Sequence, residues 1–167
     1  MDFPKLTETY PLDRQYNIWS HSTNNRDWTP SSYTLLHTFD TLRGFFDFFH
    51  KHPEPHSGMF FIMKDPIVPT WEDSHNQPGG CWSFKLDKEG HMETWGRVGS
   101  ALIANILMKD IKDMELINGV SLTIRKFNVV MKIWNNDRSR SNVMLLKEDI
   151  PELVLGDSLY QAHEGRQ

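Results

Sequence analysis

Hydrophobic and polar positions alternate most cleanly from Gly119 to Arg125, where Val120, Leu122 and Ile124 fall on one side and Ser121, Thr123 and Arg125 on the other. A period of two predicts a strand with one face in the core and one polar face carrying a cation. Val129 to Trp134 alternates likewise, with Val130, Lys132 and Trp134 sharing a side. Tyr16-Asn17-Ile18-Trp19 and Tyr33 to Phe39 read as further strands, and Met59 to Met63 and Cys81 to Leu86 as buried ones, the latter turning at residues 87–90. Leu153-Val154-Leu155 reads as a last strand. The period changes to helical where Leu42, Phe45, Phe46 and Phe49 follow Asp40, a predicted N-cap. A second helical stripe, Trp95, Val98, Leu102 and Ile106, predicts a helix to Lys109, weakened by Gly96 and Gly99. Val143 to Asp149 suggests a short third one. Strands dominate and no βαβ alternation is present, so the expected class is an antiparallel sheet with helices on one face.

Two loops interrupt this pattern with tryptophan. Residues 20–32 crowd Ser, Thr, Asn, Asp and Pro around Trp28, which either folds back onto the core or stands at a site. Pro69-Thr70-Trp71-Glu72-Asp73, running on to Gly79-Gly80-Cys81-Trp82, sets an indole directly before a carboxylate. Taken alone, that is a core tryptophan beside an exposed acid. Taken as a site, it is a stacking plate with a paired acceptor, suited to a flat, electron-poor ring bearing two N–H donors. His50, His52 and His56 share one loop, but Pro53 and Pro55 stiffen it and Glu54 is the one nearby acid, so a solvated loop is expected rather than a metal site. Asp110 and Asp113 are read as a solvated helix end.

Composition narrows the function. The chain of 167 residues suffices for one domain, expected over residues 10–167 behind a short loose segment at 1–9. Its formal charge of −4 argues against a general nucleic-acid binder, so any such contact must be local. Six Trp, ten Phe and four Tyr exceed ordinary packing needs and point to a binding surface. With Cys81 the one cysteine, an intrachain disulfide is excluded and a reducing compartment fits. No apolar run can span a bilayer, and Met1-Asp2-Phe3-Pro4-Lys5 does not read as a signal peptide, so a cytoplasmic location, with or without a nuclear one, is expected and no membrane partner. There is no phosphate-binding glycine loop, nucleophile elbow or His-Glu-x-x-His, and no cofactor is called for. Binding rather than catalysis is left.

The order of residues carries more than any one motif. Tyr10-Pro11-Leu12, Trp19, Trp28, Phe39-Asp40-Thr41-Leu42, Lys64-Asp65, Pro69 to Asp73, Gly79-Gly80 then Trp82, and Arg125 before Trp134 together resemble the eukaryotic translation initiation factor 4E family, the messenger RNA cap-binding proteins. Leu155-Gly156 and Tyr160 to His163 resemble its terminal strand and loop. The resemblance implies an α+β fold: a single curved antiparallel β-sheet of about eight strands with three helices on the convex face. It implies that Trp28 and Trp71 sandwich the 7-methylguanine of capped mRNA, that Glu72 reads its edge, that Trp134 meets the methyl group and that Arg125 takes the phosphate bridge.

The chain also departs from that pattern. Cys81 stands where the family has a second arginine, and Phe127 and Val130 replace two lysines. Lys132 is either a partial replacement or an ordinary surface lysine. On the convex side, Tyr10, Pro11, Leu42 and Phe46 match the surface that receives an amphipathic helix from a scaffold initiation factor or a 4E-binding repressor, whereas Gly96 and Arg97 replace an apolar residue and an acid. The expected function is cap binding by a monomer that links mRNA to a scaffold; the alternatives are a cap-binding repressor and, against the missing carboxylate cluster, a cap-processing enzyme.

Overall fold

A computed structural model describes residues 5–52 and 54–163. Six of the segments expected as strands form them, and a seventh strand lies further on: β1 (Pro11–His21), β2 (Thr34–Thr41), β3 (Gly58–Lys64), β4 (Gly80–Leu86), β5 (Ile117–Ile124), β6 (Val129–Asn135) and β7 (Leu159–Ala162). They form one curved sheet in the order β2-β1-β3-β5-β6-β4-β7, with every neighbouring pair antiparallel. Register explains why alternation was so legible. Ile18, Ile62, Val120, Ile133 and Trp82 are successive cross-strand partners, and each is 0% exposed. This row faces helices α1 (Leu42–Lys51) and α2 (His91–Ile103), whose Phe45, Phe48, Trp95, Val98 and Leu102 join the same core. One residue further along each strand, Trp19, Phe61, Ser121, Lys132 and Ser83 form the next row, which the pleat turns to the opposite face.

The third helical piece is a 3-10 helix, Ile111–Leu116, rather than an α-helix. Seven strands among the described residues stand against the expected eight or so. Five local expectations are corrected. Thr41, not Asp40, caps α1: its hydroxyl accepts from the Gly44 N–H at 3.0 Å. Helix α2 starts earlier, behind Gly90 at φ 75°, and stops at Ile103, before Asn105 at φ 56°. Leu107 and Met108 are still buried but lie beyond the helix, because their apolar contacts need no helical backbone. The span 143–149 holds only the single 3-10 turn Val143–Leu145, and Leu153 enters the core from a coil while Leu155–Asp157 makes another 3-10 turn. The last strand is β7, which the family resemblance indicated and the local apolar pattern did not. Asp110 caps the Ile111–Leu116 piece and Asp113 pairs with Arg140 at 3.0 Å, so neither ends α2. Residues 1–4 of the expected loose segment, and Pro53 of the histidine loop, lie outside the described residues. No helix among those described is long and apolar enough to cross a membrane.

Candidate functional site

On the sheet face away from the helices, a second, smaller apolar cluster gathers Phe61, Met63, Ile67, Cys81 and Trp134. Two of its members, Phe61 and Trp134, line a cavity of about 600 Å³ together with Trp28, Trp71, Glu72, Arg125 and Lys132. The six predicted residues among them, Trp28, Trp71, Glu72, Arg125, Lys132 and Trp134, come from three connections and one strand, β6. Trp28 belongs to the β1–β2 connection and is 47% exposed. It does not fold into the core; one face lies on the His21 imidazole, with centroids 4.5 Å apart and planes at 14°. His21 is fixed in turn by donating from Nε2 to the Asp27 carbonyl at 2.7 Å. The Asp27 carboxylate accepts from the Thr29 N–H and hydroxyl, which tightens the turn around Trp28 and holds that carboxyl below its usual range.

Trp71 and Glu72 stand in the β3–β4 connection, both exposed, with Trp71 at 40%. Two side chains make this loop rigid. Asp73 accepts from the Val68 and His75 N–H groups at 2.9 Å each, and the fully buried Asn76 donates to the Val68 and Thr70 carbonyls at 3.0 and 2.8 Å. Asn118 of β5 then donates to Asn76 at 2.8 Å and ties the loop to the sheet. Trp71 has its own imidazole partner: His163 lies nearly parallel to it, at 5.8 Å and 12°, and also 5.0 Å from the Trp134 ring.

His163 is also the hydrogen-bond partner of Cys81. Its Nδ1 donates to the Asn76 carbonyl at 2.9 Å, so Nε2, 3.2 Å from Cys81 Sγ, accepts from the thiol. Burial lowers the His163 pKa, with Lys132 and Arg138 adding to the effect and Glu72 opposing it; burial pushes the Cys81 thiol up to about 12. The pair is therefore neutral at physiological pH. Trp134 is buried at 4% exposure and donates from Nε1 to the Ser121 hydroxyl at 3.0 Å. Arg125 and Lys132 supply positive charge to the cavity wall. Across it, burial and then the Glu72 charge raise the Tyr33 phenol to about 12.

All six sequence-predicted pocket residues thus meet at one cavity. Sequence reasoning missed Tyr33, Met59, Gln77 and His163, which also line it. Ser121 and Thr123 were foreshadowed by the polar side of their strand. No group of three metal-ligating side chains is found among the described residues, and His52 of the histidine loop stacks on Phe48 at 4.3 Å. Of the residues assigned to the convex side, Tyr10 is 51% exposed and its carbonyl accepts from the Leu42 N–H at 2.8 Å, at the entry to α1. Leu42 and Phe46 are half-buried against the core, while Pro11 is exposed. Arg97 stands on α2, bound to Glu93 at 3.2 Å and Glu152 at 2.9 Å.

The family model described as Eukaryotic initiation factor 4E matches residues 11–166. The chain is 29% identical over 144 residues to the eukaryotic translation initiation factor 4E of Saccharomyces cerevisiae, covering 81% of this chain and 66% of the yeast factor's length. To the Candida glabrata factor it is 31% identical over 162 residues, 90% of this chain and 76% of that one. Among solved structures, the complex of C. elegans eIF4E-3 with the 4E-binding protein Mextli and cap analog superposes with a TM-score of 0.74 at 17% identity, over 93% of this chain and 94% of that one.

Proposed function

Because the chain belongs to the eukaryotic initiation factor 4E family, a family of binding proteins rather than enzymes, we propose that its cavity binds the 7-methylguanosine cap of messenger RNA. The observation that carries this reading is the convergence of two exposed indoles, a carboxylate and two cations on one cavity of about 600 Å³. 7-Methylguanine is flat and cationic. Between Trp28 and Trp71 it gains stacking and a cation–π attraction on each face. Glu72 accepts from N1–H and the exocyclic amine together, a charge-assisted pair that an unmethylated adenine cannot reproduce. Trp134 backs the methyl group, and Arg125 and Lys132 meet the phosphates. Titration with 7-methylguanosine diphosphate, followed by tryptophan fluorescence, tests the reading. Binding with quenching is expected, and a sharp loss in Glu72→Gln; no binding, or an unaltered affinity in that variant, removes the cap from this cavity.

Through its helical side the protein links capped mRNA to a scaffold initiation factor, whose amphipathic helix lies against Tyr10, Pro11, Leu42, Phe46 and Arg97. The cytoplasm is the proposed site of action and the monomer the acting form. One observation favours a second reading, a cap-binding repressor: Arg97 replaces an acid of the family and is already held by Glu93 and Glu152. A scaffold helix that offers a base to this position meets like charge. In a cap-dependent translation extract depleted of its own factor, restored synthesis supports the linking role, whereas further inhibition supports repression.

A further inference from the structure

The cavity continues as a cationic strip that ends on an exposed aromatic ring. β4 and β6 run in register with Ser83 opposite Lys132 and Lys85 opposite Val130. Trp82 and Phe84 belong to the helix-side core and Cys81 to the smaller cluster with Phe61 and Trp134 on the cavity's side, so Ser83 and Lys85 share the cavity's face of the sheet. Lys85 is exposed and lies in the same row as Val130, Thr123 and Met59, the last two of which line the cavity. A lysine thus stands directly across the strand pair from Val130, within the roughly 5 Å Cβ spacing of cross-strand neighbours. Among the described residues no carboxylate lies within 4.0 Å of a charged nitrogen of Lys85, Lys132 or Arg125. The acids nearest to Lys85 in sequence, Asp87 and Glu89, belong to the turn beyond the strand's end.

Arg125 opens the β5–β6 turn, which is closed by its own N–H donating to the Asn128 carbonyl at 2.9 Å. Two residues on, and therefore no more than about 7 Å away along the backbone, Phe127 is 84% exposed, the highest exposure of any large apolar side chain described. Its ring is not bare on both sides: the Lys126 ammonium lies over it, 5.2 Å from the centroid. Lys126 also accepts, through its carbonyl, from the Lys88 ammonium, which holds the turn against the end of β4. A ring with one face against a cation and the other in solvent, near three cations without a carboxylate partner, is the composition of a single-strand nucleic-acid platform. An exposed phenylalanine has no packing role to explain it.

We infer that Phe127 is a stacking platform for the first nucleobase beyond the phosphate bridge of a capped single-stranded RNA, and that Arg125, Lys132 and Lys85 carry the intervening phosphates. This subsite rests on the cap reading of the cavity. It makes affinity depend on the nucleotide after the cap, and it does so with little preference among bases, since every base has a face to stack.

The test compares 7-methylguanosine triphosphate with a capped dinucleotide, 7-methylguanosine joined through a triphosphate to adenosine, so that the two differ in the second nucleoside, on the parent protein, Phe127→Ala and Lys85→Gln. Both changes are at exposed side chains and leave the core untouched. The dinucleotide is expected to bind the parent more tightly, and the ratio of the two affinities to fall about 5- to 100-fold in Phe127→Ala. Phe127→Leu, which keeps an apolar side chain but no aromatic face, is expected to behave as the alanine variant does. In Lys85→Gln the slope of log affinity against log salt for the dinucleotide is expected to fall by roughly 0.7. A dinucleotide advantage that is absent in the parent, or that persists in Phe127→Ala, overturns the subsite while mononucleotide binding leaves the cap reading standing. Failure of the mononucleotide itself to bind overturns both.

Discussion

Each exposed indole of the cavity rests against a histidine, and that arrangement decides what substitutions there will do. Trp28→Ala and Trp71→Ala each remove a face for the ligand and are expected to cost about 1–3 kcal/mol of cap affinity. Each also uncovers a buried imidazole, His21 in the first case and His163 in the second, with a loss of stability beside the loss of affinity. Isothermal titration and urea unfolding on both variants separate the two effects. His163 itself has a pH signature. Burial lowers its pKa below the ordinary 6.5, so between the folded and unfolded values the unfolded chain holds the extra proton. Stability contributed by the neutral ring is full above about 6.5 and declines as pH falls below it, levelling once the folded pKa is passed. A urea midpoint that drops between about pH 7.5 and 5.5 in the parent, and drops less in His163→Gln, is the expected result. The companion thiol, held neutral with its pKa at about 12 and only 4% exposed, should resist alkylation in the folded protein at mildly alkaline pH and react once urea is added. Trp28, Trp71 and Glu72 stood out in sequence, but an indole in a polar loop left a core role open, and it was the order of residues resembling the family that singled them out. His21 and His163 did not stand out, because their partners are set by folding: His163 meets Asn76 and Cys81 from the far end of the chain.

At the scale of elements, legibility followed the sheet register. β5 and β6 alternate because one side of each is the helix-facing core and the other the polar cavity wall. The end of α2 was not legible, since Ile106 continues the apolar stripe in sequence while Asn105 turns the backbone into the left-handed region. β7 was hidden for a related reason: it is a four-residue edge strand whose side chains alternate between exposed and half-buried, none of them fully buried. Two substitutions probe how the elements hold the site. Thr41→Ala deletes the cap bond to Gly44 and is expected to cost about 0.5–2 kcal/mol, read from chemical denaturation. Gly119→Ala is expected to be worse. The added methyl would press on the Ile62 carbonyl and the Met63 side chain, in the row that also carries Trp134. A loss of both stability and cap affinity should follow, whereas Thr41→Ala, on the helical side, should spare affinity.

Taken whole, the molecule carries a net charge of −4, so its cations act on RNA only at close range. Long-range steering toward a polyanion is unfavourable, and specificity falls to the cavity. With Arg125 and Lys132 the two cations on the wall, the salt slope for a cap mononucleotide should be about −1.4, at roughly −0.7 for each charge neutralised. Arg125→Ala should halve it. A parent slope steeper than about −2 would mean that a third cation reaches the mononucleotide's phosphates.

The strand order also bears on how the protein is made. β4 has β6 and β7 as its sheet neighbours, although it is the fourth strand in the chain. While synthesis proceeds, Gly80–Leu86 therefore leaves the ribosome with Trp82 and Phe84 and no strand to pair with, until Val129–Asn135 and then Leu159–Ala162 have followed. β1, β2 and β3 can associate meanwhile, but the cavity cannot form, because Trp134 arrives with β6 and His163 directly after β7. A ribosome-bound fragment ending before β6 should be a customer for chaperones that bind apolar segments, and should retain no cap, since pairings distant in sequence form late and expose strand edges in the interval. Competence to hold the cap therefore waits on β6 and on the residue that follows β7.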